Sequence, residues 1–466
     1  MSTGIPDLVV LLPGIGGSEL VKGSRVIWGW YGAVLLRNML MSGPLLRDDL
    51  LVEQDSPTEG SLDDGIRPSR LLPDLHLLPG LWKIDGYSAL HQFLHHSFEL
   101  HPGKNLFPFP YDWRRDNRAA AHRLRHLTAT WLSDWRKTSG NADARLVLIA
   151  HSMGGLIARY FLEVLEGWRN TRALITIGTP HAGSVNVAAS LVNGIERYGV
   201  ELTDILRRMP SLYQLLPTYP CLETGDSTLR TLVDATLPGL QPRHVQSGVA
   251  FHHEIATAES ANLAAPEYLR NKYRLFSVAG CNQPTHKSVR LRGHRLELLN
   301  DTAVDGDGTV TTRSAIPPLQ DDSSVRFTPA RHAVLHDDDN VRAQLHSAIS
   351  SLYEQQTPLN DPAPRSSVRL GLDIEDIYWS DSPLTIRACC ESADLHLTAN
   401  VTAGSTGRQV RRAVLHRGAD GWQLARLPSL HPGIYRVTVS SDNPHTCAIR
   451  DVFEVASREL VRSASA

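Results

Sequence analysis

Ser152 stands in the string Ala150-His-Ser-Met-Gly-Gly155, between an apolar, β-prone run (Arg145–Ala150) and a helical stretch (Gly155–Glu166). A serine on a strand-to-helix turn, with small residues two before and two after it, can be held exposed in a strained conformation suited to nucleophilic attack. The turn also places the backbone N–H of Met153 where an oxyanion would form, so the chemistry would be acyl transfer through a serine ester. Glycine usually opens such a string. Here Ala150 takes that place and is small enough for the close packing required.

A serine nucleophile needs a base, and the base needs an acid to orient it. With an elbow of this kind the chain order is serine, carboxylate, histidine, each just past a strand. Asp307, in Asp305-Gly-Asp-Gly-Thr-Val310, follows the expected strand Tyr273–Ala279 and precedes a glycine turn; Asp305 is its competitor. A calcium loop is excluded, because Ala303 and Ser314 stand where an EF-hand needs acids. Among 21 histidines, His332 lies 332 − 307 = 25 residues after Asp307, past an expected strand (Val325–Phe327) and before an expected helix (Asp339–Tyr353). His336 is its rival, but beside Asp337–Asp339 it reads as a helix-capping, charge-balancing residue. His181 precedes the acid and so breaks the order, and His151 reads as a packing residue. His332 and His336 lack the glutamate of a zinc-binding His-Glu-x-x-His string, so no metal site is expected. The second oxyanion amide should come from the glycine-rich stretch Pro13-Gly-Ile-Gly-Gly-Ser18, just past the apolar run Asp7–Leu12. With no Gly-Lys-Ser/Thr, and with Glu19 where a dinucleotide fingerprint needs its third glycine, the stretch is not a phosphate loop.

These residues need a scaffold that brings strand ends together. Apolar runs at Asp7–Leu12, Arg145–Ala150, Arg172–Ile177 and Tyr273–Ala279 alternate with amphipathic helical patterns at Tyr87–Leu100, Asn117–Arg136 and Gly155–Glu166. Such alternation predicts an α/β fold with a mainly parallel sheet. Arg114, Arg115, Arg118, Arg123 and Arg125 read as the solvated face of the Asn117–Arg136 helix and its approach. The stretch 191–253, rich in Pro, Leu and Tyr, reads as an inserted cap, and the irregular Asp48–Pro79 as a second lid segment. Residues 355–367, with three prolines and almost no apolar side chains, read as a linker. Beyond it, short β-prone segments at Ser367–Leu372, Leu384–Ala388, Leu395–Val401, Arg412–Leu415 and Tyr435–Ser440 predict a small all-β sandwich over 368–457, with a tail at 458–466.

The whole chain narrows the classes further. Its 466 residues carry 47 Lys and Arg against 49 Asp and Glu, a formal charge of −2. Such a balance supplies no field for nucleic acid, and no nucleic-acid partner is expected. Five cysteines, two of them adjacent (Cys389 and Cys390), do not make a disulfide framework. There is neither a basic, apolar leader nor a run of about 18 apolar residues, and the reading is a soluble, cytoplasmic protein.

Taken together, several strings resemble the lecithin:cholesterol acyltransferase family. They are Pro13-Gly-Ile-Gly-Gly-Ser-Glu-Leu20, Pro110-Tyr-Asp-Trp-Arg114, Ala150-His-Ser-Met-Gly-Gly155, Ile177-Gly-Thr-Pro-His-Ala-Gly183, Gly306-Asp-Gly-Thr-Val310 and the His332 loop. The resemblance covers about residues 7 to 350 and implies an α/β-hydrolase domain over 1–354, with a cap and lid above a lipid groove. It implies Ser152 as nucleophile, Asp307 as acid and His332 as base. Gly16 and Met153 would be the oxyanion amides, with Ile15 as the alternative to Gly16. Secreted members carry a signal peptide and a disulfide-closed lid; the first cysteine here is Cys221, and the C-terminal β-sandwich (immunoglobulin-like in texture) lies outside the family pattern. The implied function is a serine acyl hydrolase or O-acyltransferase on a lipid ester such as a phospholipid, with peripheral membrane contact and no cofactor. The β-domain is a candidate contact for a protein partner. The alternatives are a general carboxylesterase on the same three residues and a non-catalytic hydrolase-fold module.

Overall fold

Leu8–Leu12 (β1), Leu106–Pro108 (β2), Leu146–His151 (β3), Thr171–Ile177 (β4), Arg274–Gly280 (β5) and Val325–Thr328 (β6) form the central sheet. Their order is β6-β5-β4-β3-β1-β2, and every pairing is parallel. This is a computed structural model, and it describes residues 4–29, 48–52, 55, 57, 62, 64–73, 76–78, 82–197, 200–224, 228–299, 305–320, 325–353, 370–390, 395–404, 406–418, 420–443 and 446–458.

Strand β1 is apolar at every position and β3 at all but its last, His151, because both faces of the sheet are covered. Successive side chains of a strand point to opposite faces, and the two hydrophobic clusters divide accordingly. Leu8, Val10, Leu12, Leu146, Leu148 and Ala150 pack with Leu124 and Leu132 of α2 (Asn117–Ser139) and with Leu156 and Ile157 of α3 (Met153–Glu163). Val9, Leu11, Val147 and Ile149 pack with Leu90 and Leu94 of α1 (Ser88–Ser97) and with Leu345 and Ile349 of α6 (Asp339–Ser350). A parallel sheet with helices on both faces and a serine turn at the end of β3 is an α/β-hydrolase fold. Truncating Leu11→Ala at its centre would leave a cavity costing about 2–5 kcal/mol.

The two longest helices of the stretch between β4 and β5 are α4 (Val185–Asn193) and α5 (Pro242–Leu263). The expected end of the cap, at 253, falls inside α5, which runs on to Leu263. Within the expected lid segment Asp48–Pro79 lies a regular strand, Ile66–Leu71, which pairs antiparallel with Ser18–Lys22. Much of the rest of that segment lies outside the described residues. Among the described residues no helix is long and apolar enough to cross a membrane.

The arginines around α2 correct the sequence reading. Arg114 is fully buried: it pairs with Asp112 at 2.6 Å and Asp64 at 2.9 Å and donates to the Asp49 carbonyl at 2.7 Å. Arg118 is buried between Asp116 and Glu254, and Arg115 pairs with Asp55. Arg123 reaches the Pro110 carbonyl, and only Arg125 of the five is exposed. Periodicity on α2 cannot show acids brought in from residues 49–64 and 254. A guanidinium is buried when its planar fork of donors is met on all sides, as here.

The C-terminal β-domain holds two sheets. One orders β7 (Leu370–Asp373), β9 (Leu384–Cys390) and β12 (Gln423–Leu427), with His416–Arg417 at its edge. The other orders β8 (Ile377–Trp379), β14 (Ile449–Ala456), β13 (Gly433–Ser441), β10 (Leu397–Ala403) and β11 (Gln409–Val414). The inner faces of both supply one core, with Leu372, Ile386 and Leu427 against Ala399, Val437 and Phe453. All pairings are antiparallel except β8 with β14. Strands β8, β12 and β14 are additions to the sequence reading; β14 hid because Asp451 and Glu454, both buried, break its apolar pattern. The expected linker 355–367 lies outside the described residues, as does the expected tail beyond Arg458.

Candidate active site

Ser152 joins β3 to α3 with φ 51° and ψ −127°, a left-handed backbone that a non-glycine residue adopts only when its surroundings enforce it. They do so through contact. A Cβ on Gly154 would stand 2.5 Å from the Pro13 carbonyl oxygen, and one on Gly155 would stand 2.0 Å from Thr179 Oγ1. Those two glycines let α3 start directly against the ends of β1 and β4, and the helix begins at Met153, two residues before the expected Gly155. The Ser152 N–H donates to the Ile177 carbonyl at 2.9 Å, fixing the turn from its other side.

Three strand ends converge on the serine. Ser152 Oγ lies 2.9 Å from His332 Nε2, and His332 Nδ1 lies 2.7 Å from Asp307 Oδ2. Asp307 is 1% exposed, and its Oδ1 accepts the N–H groups of Thr309 at 2.9 Å and Val310 at 2.7 Å. The geometry suits an Asp307 side chain that accepts from His332 Nδ1, with Nε2 turned toward the serine hydroxyl. The His332 N–H also donates to the Asp307 carbonyl at 2.9 Å, tying the two loops by backbone as well. Asp305, the competitor, is instead paired with Lys287 at 3.0 Å and is partly exposed.

Room for the His–Asp pair comes from two glycines to which the sequence reading gave no role. A Cβ on Gly280, at the end of β5, would stand 2.4 Å from Asp307 Cβ. A Cβ on Gly178, whose φ is +57°, would meet Leu335 at 2.7 Å and both Asp307 Oδ2 and His332 Nδ1 at 3.3 Å. The available signal was a glycine closing each of two buried strands.

The other histidines separate. His336 is fully buried, not a helix cap: its Nε2 meets the Gly86 carbonyl, and its ring lies 4.5 Å from His151 and 4.7 Å from Tyr87. Asp338 caps α6 in its place, accepting from the Asn340 and Val341 amides. Burial pushes the His336 pKa down, and pushes those of His151 and His181 well below the ordinary 6.5, so all three are neutral at neutral pH. His151 does more than pack, since its Nδ1 lies 2.9 Å from the Tyr87 hydroxyl.

On the side of the glycine-rich stretch, the Gly17 N–H donates to the Gly14 carbonyl at 3.0 Å, closing a turn in which Gly16 takes φ +72°. Trp28 Nε1 donates to the Gly16 carbonyl at 2.8 Å and anchors it. The Gly14 N–H is engaged by the Tyr87 hydroxyl, which leaves the amides of Ile15 and Gly16 as the oxyanion candidates. Ile15 lines the same cavity as Ser152 and His332. The Met153 amide is the first of α3, and helices leave their first amides without intrahelical partners.

The cavity holds about 540 Å³. Ile15, Val187, Ile195, Leu212, Leu215 and Leu298 give it apolar wall, and Asp373, Asp376 and Asp451 reach it from the β-domain. The lecithin:cholesterol acyltransferase (LCAT) family model matches residues 81–289, a span that includes Pro110–Arg114 and Ser152. Over those residues the chain is similar to the LCAT family. Asp307 and His332 lie beyond the matched span. Lecithin-cholesterol acyltransferase-like 4 of Arabidopsis thaliana is 23% identical over 374 residues, 68% of each protein. Among solved structures, lipase BlEst2 of Bacillus licheniformis in its mature form is 13% identical, covering 74% of this chain and 91% of that one, with a TM-score of 0.33. Its propeptide form is 12% identical over 97% of this chain and 94% of that one, also with a TM-score of 0.33.

Proposed function

We propose that this chain is a lipid acyl hydrolase or O-acyltransferase that works through an acyl-Ser152 intermediate. The observation that carries the reading is the hydrogen-bonded line from Ser152 Oγ through His332 to the buried Asp307, at the wall of a cavity with an apolar lining. His332 Nε2 takes the serine proton as Oγ bonds to the ester carbonyl carbon, and Asp307 holds the imidazolium that forms. The oxyanion is met by the Met153 amide and by an amide of the Ile15–Gly16 turn. Loss of one such donor costs about 3 kcal/mol of barrier. His332 then gives its proton to the departing alcohol, and water or an acceptor alcohol, activated in turn by His332, releases the acyl group.

The apolar wall favours a long acyl chain over a short one, and the aspartates at the β-domain side favour a glycerophospholipid whose head group carries a cation, such as phosphatidylcholine. The test compares wild type and Ser152→Ala on phosphatidylcholine vesicles and on a short acyl ester, with fluorophosphonate labelling of the serine. Wild type should cleave the phospholipid and be labelled, and Ser152→Ala should do neither. Cleavage of only the short ester would make the protein a general carboxylesterase. A wild type that is neither labelled nor active would sink the acyl-serine reading.

A further inference from the structure

The loop that carries His332 is gripped on both sides by the C-terminal β-domain. Arg331, the residue before His332, extends into that domain: its Nη1 donates to the Leu372 carbonyl at 2.5 Å, and its Nε pairs with Asp451 Oδ2 at 2.6 Å. Asp451, on β14, is 1% exposed. After His332, Ala333 and Val334 pack against Val452, the neighbour of Asp451, with Ile434 of β13 alongside. The Ala333 carbonyl accepts the Asp85 N–H at 3.0 Å, and the Asp85 carboxylate is paired with Arg436 of β13. Arg450 Nη2 reaches the Asp337 carbonyl at 3.3 Å. The Asp307 loop is tied to the same domain through Gln283, which is fully buried. Its N–H donates to the Gly306 carbonyl at 3.0 Å, and its side-chain amide pairs with β7, donating to the Leu370 carbonyl and accepting the Leu372 N–H, each at 3.1 Å.

Buried ion pairs are poor stabilisers once desolvation is counted, but they fix geometry when every donor is met. One guanidinium that spans a backbone carbonyl of β7 and a carboxylate of β14 fixes the chain position adjoining the base. We propose that the β-domain is part of the active-site framework, with Asp451 the positioning residue that holds Arg331 and, through it, His332 in line between Asp307 and Ser152. The inference rests on the acyl-serine reading above. Displacing a reacting group by about 1 Å can cost on the order of 100-fold in rate. The effect falls on kcat, because the apolar groove that takes the acyl chain belongs to other elements.

The experiment uses the full chain and a short acyl ester that reaches only the serine end of the cavity. Wild type, Asp451→Ala, Asp451→Glu and Arg331→Lys are compared for kcat, KM, labelling rate at Ser152 and thermal melting. Expected is a fall in kcat of roughly 10- to 100-fold for Asp451→Ala with KM little changed, a slower labelling rate, and partial recovery in Asp451→Glu. If Asp451→Ala does not fold, Arg331→Lys decides. Lysine keeps the charge but cannot span both acceptors, so a lower kcat at unchanged melting temperature supports the inference. Unchanged kcat in a folded Asp451→Ala, or in Arg331→Lys where that variant decides, overturns it. A wild type without ester hydrolysis and without labelling would overturn the acyl-serine reading itself, a distinguishable failure.

Discussion

The hydroxyl of Tyr87 lies 2.9 Å from Nδ1 of His151 and at the same time accepts the Gly14 N–H at 2.7 Å. One phenol at the start of α1 therefore joins the glycine-rich turn after β1 to the residue that precedes Ser152. Its geometry is closed by contact, since a Cβ on Gly14 would stand 2.9 Å from Ser152 Cβ.

Tyr87→Phe removes that link and leaves a buried amide and a buried ring nitrogen unpaired. Unfolding in urea should show a loss of about 1–3 kcal/mol. The turn that adjoins Ser152 should also loosen, with a lower kcat. A variant as stable and as active as wild type would show that the link does not hold the turn.

Asp307→Asn should lower kcat by about 10⁴-fold while the fold is retained, because the amide holds the His332 ring in the wrong tautomer. Asp305→Asn should leave kcat unchanged, since Asp305 faces Lys287 instead. Steady-state kinetics on the pair separates the two carboxylates, and an inverted result would reassign the acid.

Arg114→Met should cost about 3–5 kcal/mol, because it strands the buried Asp112 and leaves Asp64 and the Asp49 carbonyl without their partner. Arg125→Met, on the exposed face, should change stability by less than about 0.5 kcal/mol. Paired denaturation curves decide the matter, and equal losses would contradict the buried role of Arg114.

Stability should fall on the acid side of neutrality. His151, His181 and His336 have pKa values held below the ordinary 6.5 by burial, so the unfolded chain binds more protons than the folded one as pH drops. Their contribution is complete above about pH 7 and is lost as pH falls through the unfolded value, by up to about 1.4 kcal/mol per pH unit for each histidine. Melting temperatures taken from about pH 8 down to about pH 5 should hold level and then decline. A flat profile would mean that these rings accept protons without penalty.

How much of this the sequence discloses depends on how local each cause is. The runs that become β1, β3 and β4 are legible because central parallel strands are buried on both faces and so carry mostly apolar residues. Ser152 is legible because its turn chemistry is written within six residues. Asp307 and His332 could be picked out by chain order, and the structure brings both to the serine. Tyr87 left no trace, since a phenol acquires its role only when residues 14 and 151 are folded around it. The arginines near α2 misled for the same reason: helical periodicity sees the helix and not the carboxylates that close over it. Three β-domain strands escaped because they are short or carry buried charges.

The grip of Asp451 on Arg331 also sets an order of events during synthesis. Asp451 follows Ser152 by 451 − 152 = 299 residues, and follows His332 by 451 − 332 = 119. A growing chain that has already displayed its serine, carboxylate and imidazole to the cell still lacks the residue that locks them together. If the β-domain holds the base as proposed, the centre on a ribosome-bound chain works roughly 10- to 100-fold below its final rate until the last strands pair.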